Sequence, residues 1–157
     1  MVATQLGQGV GLDDVARELF DILTHLGLTA PPLRRRPGDL KEIEFHTLSI
    51  LQRRGTMIVG DIQRLLGVLP AQMSRIIRSL EDRERPLIAC HINPRDKRKV
   101  NVQLTPVGEK SLQDYQEARI TRIAAVLRDL PEDVHDDLNH LLDKLRVRLE
   151  RAPSPRG

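Results

Sequence analysis

Pro70-Ala71-Gln72-Met73-Ser74-Arg75-Ile76-Ile77-Arg78-Ser79-Leu80-Glu81 reads as one short helix with two unlike faces. Met73, Ile76, Ile77 and Leu80 fall at i, i+3, i+4 and i+7, which puts an apolar stripe on one side. At about 100° per residue the opposite side carries Ala71, Arg75 and Arg78, flanked by Gln72, Ser74 and Ser79. Pro70 is tolerated in a first turn, and Pro86 ends the helix at the latest. Just upstream, Thr56 to Gly67 is predicted as another short helix. Thr56 is its expected N-cap, Val59, Ile62, Leu65 and Leu66 point inward, and Gly67 is its stop. Two short helices across a tight glycine turn make a helix-turn-helix pattern. The outer face of the second suits the major groove of B-DNA, which is about 12 Å wide and admits one helix. There an arginine bonds two guanine acceptors and a glutamine two adenine groups. Glu81, Asp82 and Glu84 would repel phosphate, but they lie at the far end of the helix.

Downstream the period changes. Leu87 to Ile92 and Val100 to Leu104 read as strands, with Val100, Val102 and Leu104 alternating with Asn101 and Gln103. Between them Asn93-Pro94-Arg95-Asp96-Lys97-Arg98-Lys99 is a tight polar turn, so a β-hairpin with a basic tip is expected. Arg95, Lys97, Arg98 and Lys99 on a narrow turn suit a minor groove of about 6 Å, where the field is most negative when the groove narrows. Asp96 is read as an orienting partner for Arg98 or Arg95.

Outward from this centre the pattern is helical. Leu12, Val15, Leu19, Leu23 and Leu26 form a stripe, with Asp13 and Asp14 in the favourable first turn and Gly27 as the expected stop. Residues 30–38 read as a loop with three successive arginines, Arg34 to Arg36. A helix is predicted from about Asp39 to Arg54, ended by Gly55. Another runs from about Pro106 to Leu130. A last one starts near Pro131 and carries Val134, Leu138, Leu141, Leu145 and Leu149. That last stripe serves an ordinary core or a partner chain equally well.

The chain has 157 residues, 25 Lys+Arg against 22 Asp+Glu and a formal net charge of +3, which suits a single folded domain. With 39% hydrophobic and 30% charged residues it is not a wholly disordered chain. No apolar run approaches the ~18 residues of a membrane span, and Met1 to Gly11 shows no secretory signal, so a cytoplasmic, non-membrane location is expected. Phe20, Phe45 and Tyr115 are the only aromatics, which argues against stacking on single-stranded bases.

Leu65-Leu66-Gly67-Val68 through Ser74 to Glu81 resembles the helix-turn-helix of the multiple-antibiotic-resistance regulators, the MarR family. Asn93 to Gly108 is similar to that family's wing, with Asp-x-Arg, then Val-x-Leu-Thr, then Gly. The resemblance spans roughly Leu12 to Leu149. It implies a mainly α fold with a small β-hairpin wing, a winged helix-turn-helix with flanking dimerisation helices. Its parts would be residues 1–38, a dimerisation helix and basic loop; 39–106, the DNA-binding region; 107–151, further dimerisation helices; and 152–157, a frayed tail. It implies a homodimeric, sequence-specific regulator of transcription, a repressor or an activator, with a ligand-responsive repressor on near-palindromic double-stranded DNA as the leading reading. Ala71, Gln72, Ser74, Arg75 and Arg78 would enter the major groove, and Arg95, Asp96, Lys97, Arg98 and Lys99 would form the wing site. Leu12, Val15, Leu19, Leu138, Leu141, Leu145 and Leu149 would serve dimerisation. No cofactor is implied beyond a small lipophilic effector. The chain departs from the family at Leu69, where a capping Ser is usual, at Asn93, where Asp is usual, and at Arg85-Pro86, where Gly is common.

Other readings stay open. A winged helix also serves as a protein-interaction module without DNA. Cys90, the single cysteine, rules out an internal disulfide, and as a redox trigger it would need an exposed thiolate of low pKa. His135 and His140 are five apart, off the spacing at which one helix presents two imidazoles to a metal, so no metal site is expected. No nucleophile–base pair or phosphate loop is recognisable, so an enzyme is not expected.

Overall fold

A computed structural model describes residues 11–29 and 38–151. The elements are α1 (Leu12–Thr29), α2 (Glu42–Arg54), β1 (Met57–Ile58), α3 (Val59–Leu66), α4 (Pro70–Glu81), β2 (Ile88–Ile92), β3 (Val100–Leu104), α5 (Pro106–Leu127) and α6 (Glu132–Arg151). They divide between two units at Pro37–Gly38, with α1 in the first and all the others in the second. The architecture is mainly α with a small antiparallel sheet, a winged helix-turn-helix. The basic loop at Arg34 to Arg36 and the tail from Ala152 fall outside the described residues.

The core of the second unit is aliphatic. Leu48 and Leu51 of α2, Ile62 of α3, Met73 and Leu80 of α4, Ile88 and Val102 of the sheet and Leu112 of α5 are all buried. The stripe read from α4 is therefore its inner face, and its arginines are left outside. Leu65 was expected to point inward. It is exposed, because on the eight residues of α3 Ile62 takes the buried position while Val59 and Leu66 are only half-buried.

Several boundaries differ from expectation. α1 passes through Gly27 and is described to Thr29. An interior glycine costs a helix only about 1 kcal/mol. α2 begins at Glu42 rather than Asp39, because its N-cap is Lys41, whose backbone N–H donates to the Glu44 carboxylate at 2.9 Å. α5 ends at Leu127. Thr56 is not the N-cap of α3. Ile58 is, because Met57 and Ile58 first pair with β3 as a third strand.

The sheet order is β1-β3-β2, all antiparallel, with Met57 and Cys90 both opposite Val102. β3 is thus the central strand, and the hairpin β2–β3 is the wing. Gly67 takes the left-handed conformation (φ 64, ψ 30) that closes α3 and turns the chain into α4. No helix among the described residues is long and apolar enough to cross a membrane.

Candidate nucleic-acid interface

Leu69, Ala71, Gln72, Ser74, Arg75 and Arg78 are exposed on or beside α4. Leu69 is the N-cap and supplies no side-chain cap, so the first turn of α4 keeps unpaired N–H groups. The Ser74 hydroxyl donates to the Pro70 carbonyl at 3.1 Å and keeps its lone pairs as acceptors. Among the described residues, the side chains of Gln72, Arg75 and Arg78 join no hydrogen bond or ion pair. Two guanidinium groups and an amide therefore stand ready for an outside partner.

The wing tip is held by two short side chains. Asn93 Oδ1 accepts from the backbone N–H of Arg95 at 2.9 Å and of Asp96 at 3.1 Å. Its Nδ2 donates to Asn101 Oδ1 at 2.9 Å, a bond that a carboxylate in its place has no proton to make. Asp96 Oδ1 accepts from Arg98 twice, from the backbone N–H at 3.1 Å and from Nε at 3.2 Å. These bonds, with Lys99 Nζ 3.7 Å away, hold the Asp96 carboxyl below the usual aspartate range. The Arg98 side chain remains 90% exposed and is aimed by Asp96 rather than neutralised within a core. Arg95 and Lys97 are exposed and make no side-chain pairing among the described residues.

Cys90 lies half-buried on β2. Burial, and then the Glu81 carboxylate beside it, push its thiol pKa up to about 11. At neutral pH the sulfur is a thiol, the weaker nucleophile. This is the opposite of what a redox trigger requires.

Two polar clusters were not anticipated. Glu44 is 1% exposed, and its carboxylate accepts from three donors: the Lys41 backbone, the Ser79 hydroxyl of α4, and Arg83 Nη2 at 2.9 Å. Arg83 also donates to the Gly38 carbonyl at 2.6 Å and the Ser79 carbonyl at 3.1 Å. One sign of this was available. Glu44 falls on the apolar stripe of Leu40, Thr47, Leu48 and Leu51, where a charge needs a partner. In the other cluster Phe45 stacks on Tyr115 at 4.6 Å and the Arg119 guanidinium lies 4.8 Å from the Tyr115 ring centre. Tyr115 and Arg119 both donate to Glu42. Burial acts to raise the Glu42 pKa, but the Tyr115 hydrogen bond and the Arg119 charge outweigh it and hold the carboxyl low. No spacing in the sequence announces partners so far apart.

Of the residues assigned to dimerisation, Leu12, Val15 and Leu19 are exposed on α1. Leu141, Leu145 and Leu149 are exposed on α6, and Leu138 is half-buried. α6 has no buried residue at all. Ile120, Ile123 and Val126 are exposed on the second half of α5.

Residues 40–100, from before α2 to the start of β3, match the family model described as the MarR family. No curated protein matches the chain. Solved structures of similar fold include the transcriptional regulator Tm0710 from Thermotoga maritima, with a TM-score of 0.71, 22% identity and coverage of 88% of this chain and 96% of that one. Apo MarR from E. coli has a TM-score of 0.66 at 18% identity, covering 88% of this chain and 98% of that one. BpsR of Bordetella bronchiseptica, whose DNA binding is regulated by 6-hydroxynicotinic acid, has a TM-score of 0.55 at 22% identity, covering 84% and 98% respectively.

Proposed function

We propose that this protein is a homodimeric transcriptional regulator of the MarR family that binds a near-palindromic double-stranded DNA site, a reading supported by the match of residues 40–100 to that family's model. The observation that carries this reading is the pairing of two exposed cationic elements on one fold. Arg75 and Arg78 stand on the solvent face of α4, and Arg95, Lys97, Arg98 and Lys99 on the wing tip. α4 reads base edges in the major groove, and the wing enters the flanking minor groove. Two such units on a twofold axis place their α4 helices about one helical turn, ~34 Å, apart.

A second copy supplies what the apolar faces of α1, α5 and α6 lack. Leu12, Val15, Leu19, Leu141, Leu145 and Leu149 are too many exposed aliphatic side chains for a finished surface. Residues 1–38 and 107–151 are thus assigned to the dimer, and 39–106 to DNA. The protein acts in the cytoplasm as a ligand-responsive repressor rather than as an enzyme. A small lipophilic effector would shift the balance between DNA-competent and incompetent spacings, as linkage demands. The regulation of BpsR by a small aromatic acid supports a search for one.

The test is recovery of bound fragments from the source organism's sheared genomic DNA, using the full chain, followed by sequencing. Enrichment of one short near-palindromic motif is expected. Recovery of fragments without any common motif sinks the proposal and leaves the protein-interaction reading.

A further inference from the structure

Burial of a charge is costly unless it is paired and fully hydrogen-bonded. Glu44 meets that condition, and two of its three donors, Ser79 and Arg83, belong to α4 or the turn after it. The third is its own N-cap backbone. Nothing in the proposed reading of DNA by Arg75 and Arg78 uses this carboxylate. We infer that Glu44 is a positioning residue for sequence discrimination: through Ser79 and Arg83 it fixes the rotation of α4 about its axis, and with it the aim of Arg75 and Arg78.

The geometry supports this in two steps. Ser79 follows Arg78 directly and lies four residues after Arg75, at the border between the buried and solvent faces of α4. A bond made there resists rolling of the helix more directly than one at the centre of the buried face. The rest of the α4 anchorage is mainly apolar, Met73, Ile76, Ile77 and Leu80, with one backbone bond at its last turn, from the Leu87 N–H to the Leu80 carbonyl at 2.9 Å. Apolar burial is non-directional, whereas a hydrogen bond weakens steeply with angle. A roll of about 10° shifts a side-chain tip at a radius of about 6 Å by roughly 1 Å, enough to break a two-bond contact with a guanine edge.

α2 is itself a firm reference. Its first turn is tied outward to α5, where Glu42 accepts from Tyr115 at 2.9 Å and from Arg119. The two carboxylates of that turn, Glu42 and Glu44, therefore place α4 relative to α5. The inference rests on the proposed DNA reading.

The experiment uses the full chain and the duplex it selects from a randomised library, with a scrambled duplex of equal length as reference. Ser79→Ala is expected to lower selectivity for the selected duplex about tenfold, the scale of one good base contact, while binding to the scrambled duplex stays within about twofold. Ser79→Thr, which keeps the hydroxyl, is expected to retain the parental selectivity. Arg83→Gln is expected to behave like Ser79→Ala. A Ser79→Ala protein as selective as the parent overturns the inference. So does one that loses both affinities in proportion, the mark of simple unfolding, or a Thr variant no better than Ala. A parent chain that selects no duplex at all overturns the DNA reading itself, a result distinct from these.

Discussion

A Cβ built on Gly108 would stand 1.9 Å from the carbonyl oxygen of Leu87. The first turn of α5 is thus pressed against the chain entering β2, and Thr105 completes the joint. Its backbone N–H donates to the Leu87 carbonyl at 3.1 Å. Its hydroxyl donates to the Pro86 carbonyl at 2.7 Å and accepts from the Gly108 N–H at 3.0 Å. The Thr-then-Gly of the wing motif is therefore a packing requirement between wing and α5.

Gly108→Ala is expected to destabilise the protein by about 1–3 kcal/mol or more, because the clashing atom is backbone and cannot swing aside. At about 2–4 °C per kcal/mol for a chain of this size, thermal unfolding should begin several degrees earlier. An unchanged midpoint would mean that the joint is looser than described.

Asp96 gives the wing a pH dependence of definite sign. Its folded pKa lies below the ordinary value of 3.8, first because of the Arg98 backbone N–H and then the Arg98 side chain. The ionised form thus favours the folded wing at every pH above the unfolded value. That preference is lost as pH falls through the lower folded value. The Arg98 amide resonance should titrate with a midpoint below 3.8, and Asp96→Asn should abolish the titration.

Arg75 and Arg98 should fail differently. Arg75→Ala is expected to relax base preference, at a cost of about 1–3 kcal/mol in discrimination. Arg98→Ala is expected to weaken binding to all duplexes and to lose the preference for a narrow minor groove. If the dimer neutralises about 6–10 phosphates, affinity measured by titration should fall ~10³–10⁵-fold between 50 and 200 mM salt. Parental behaviour in both variants would show that the reading surface lies elsewhere.

Leu145→Glu is expected to convert a dimer to a monomer in sedimentation and to remove binding to the paired site, since a charge placed in an apolar interface has no partner. A parent chain that sediments as a monomer would contradict the twofold arrangement.

The Cys90 thiol should alkylate slowly at neutral pH. Its rate should climb with pH toward about 11, where the thiolate becomes dominant. Rapid reaction near pH 7 would instead revive the redox reading.

The helices of this protein are legible in its sequence because amphipathic spacing is a local property. Met73, Ile76 and Leu80 reveal both the inner face of α4 and, by opposition, the exposed arginines. The wing is legible because alternation and a polar turn are also local. β1 is not legible because the two residues Met57 and Ile58 cannot display a period. Thr56 looked like a cap because nothing nearby shows that the next residues pair with β3. The place of Glu44 on an apolar stripe shows that it needs a partner but not which one, because Ser79 and Arg83 lie 35 and 39 residues away.

The order of side chains along the chain determined which surfaces are apolar, which are cationic and where the chain turns. Tertiary structure alone decided how α4 is held, through a buried carboxylate shared by α2 and α4, and why a side chain at position 108 is costly. Both depend on atoms brought together by packing, and packing distances leave no period in a sequence.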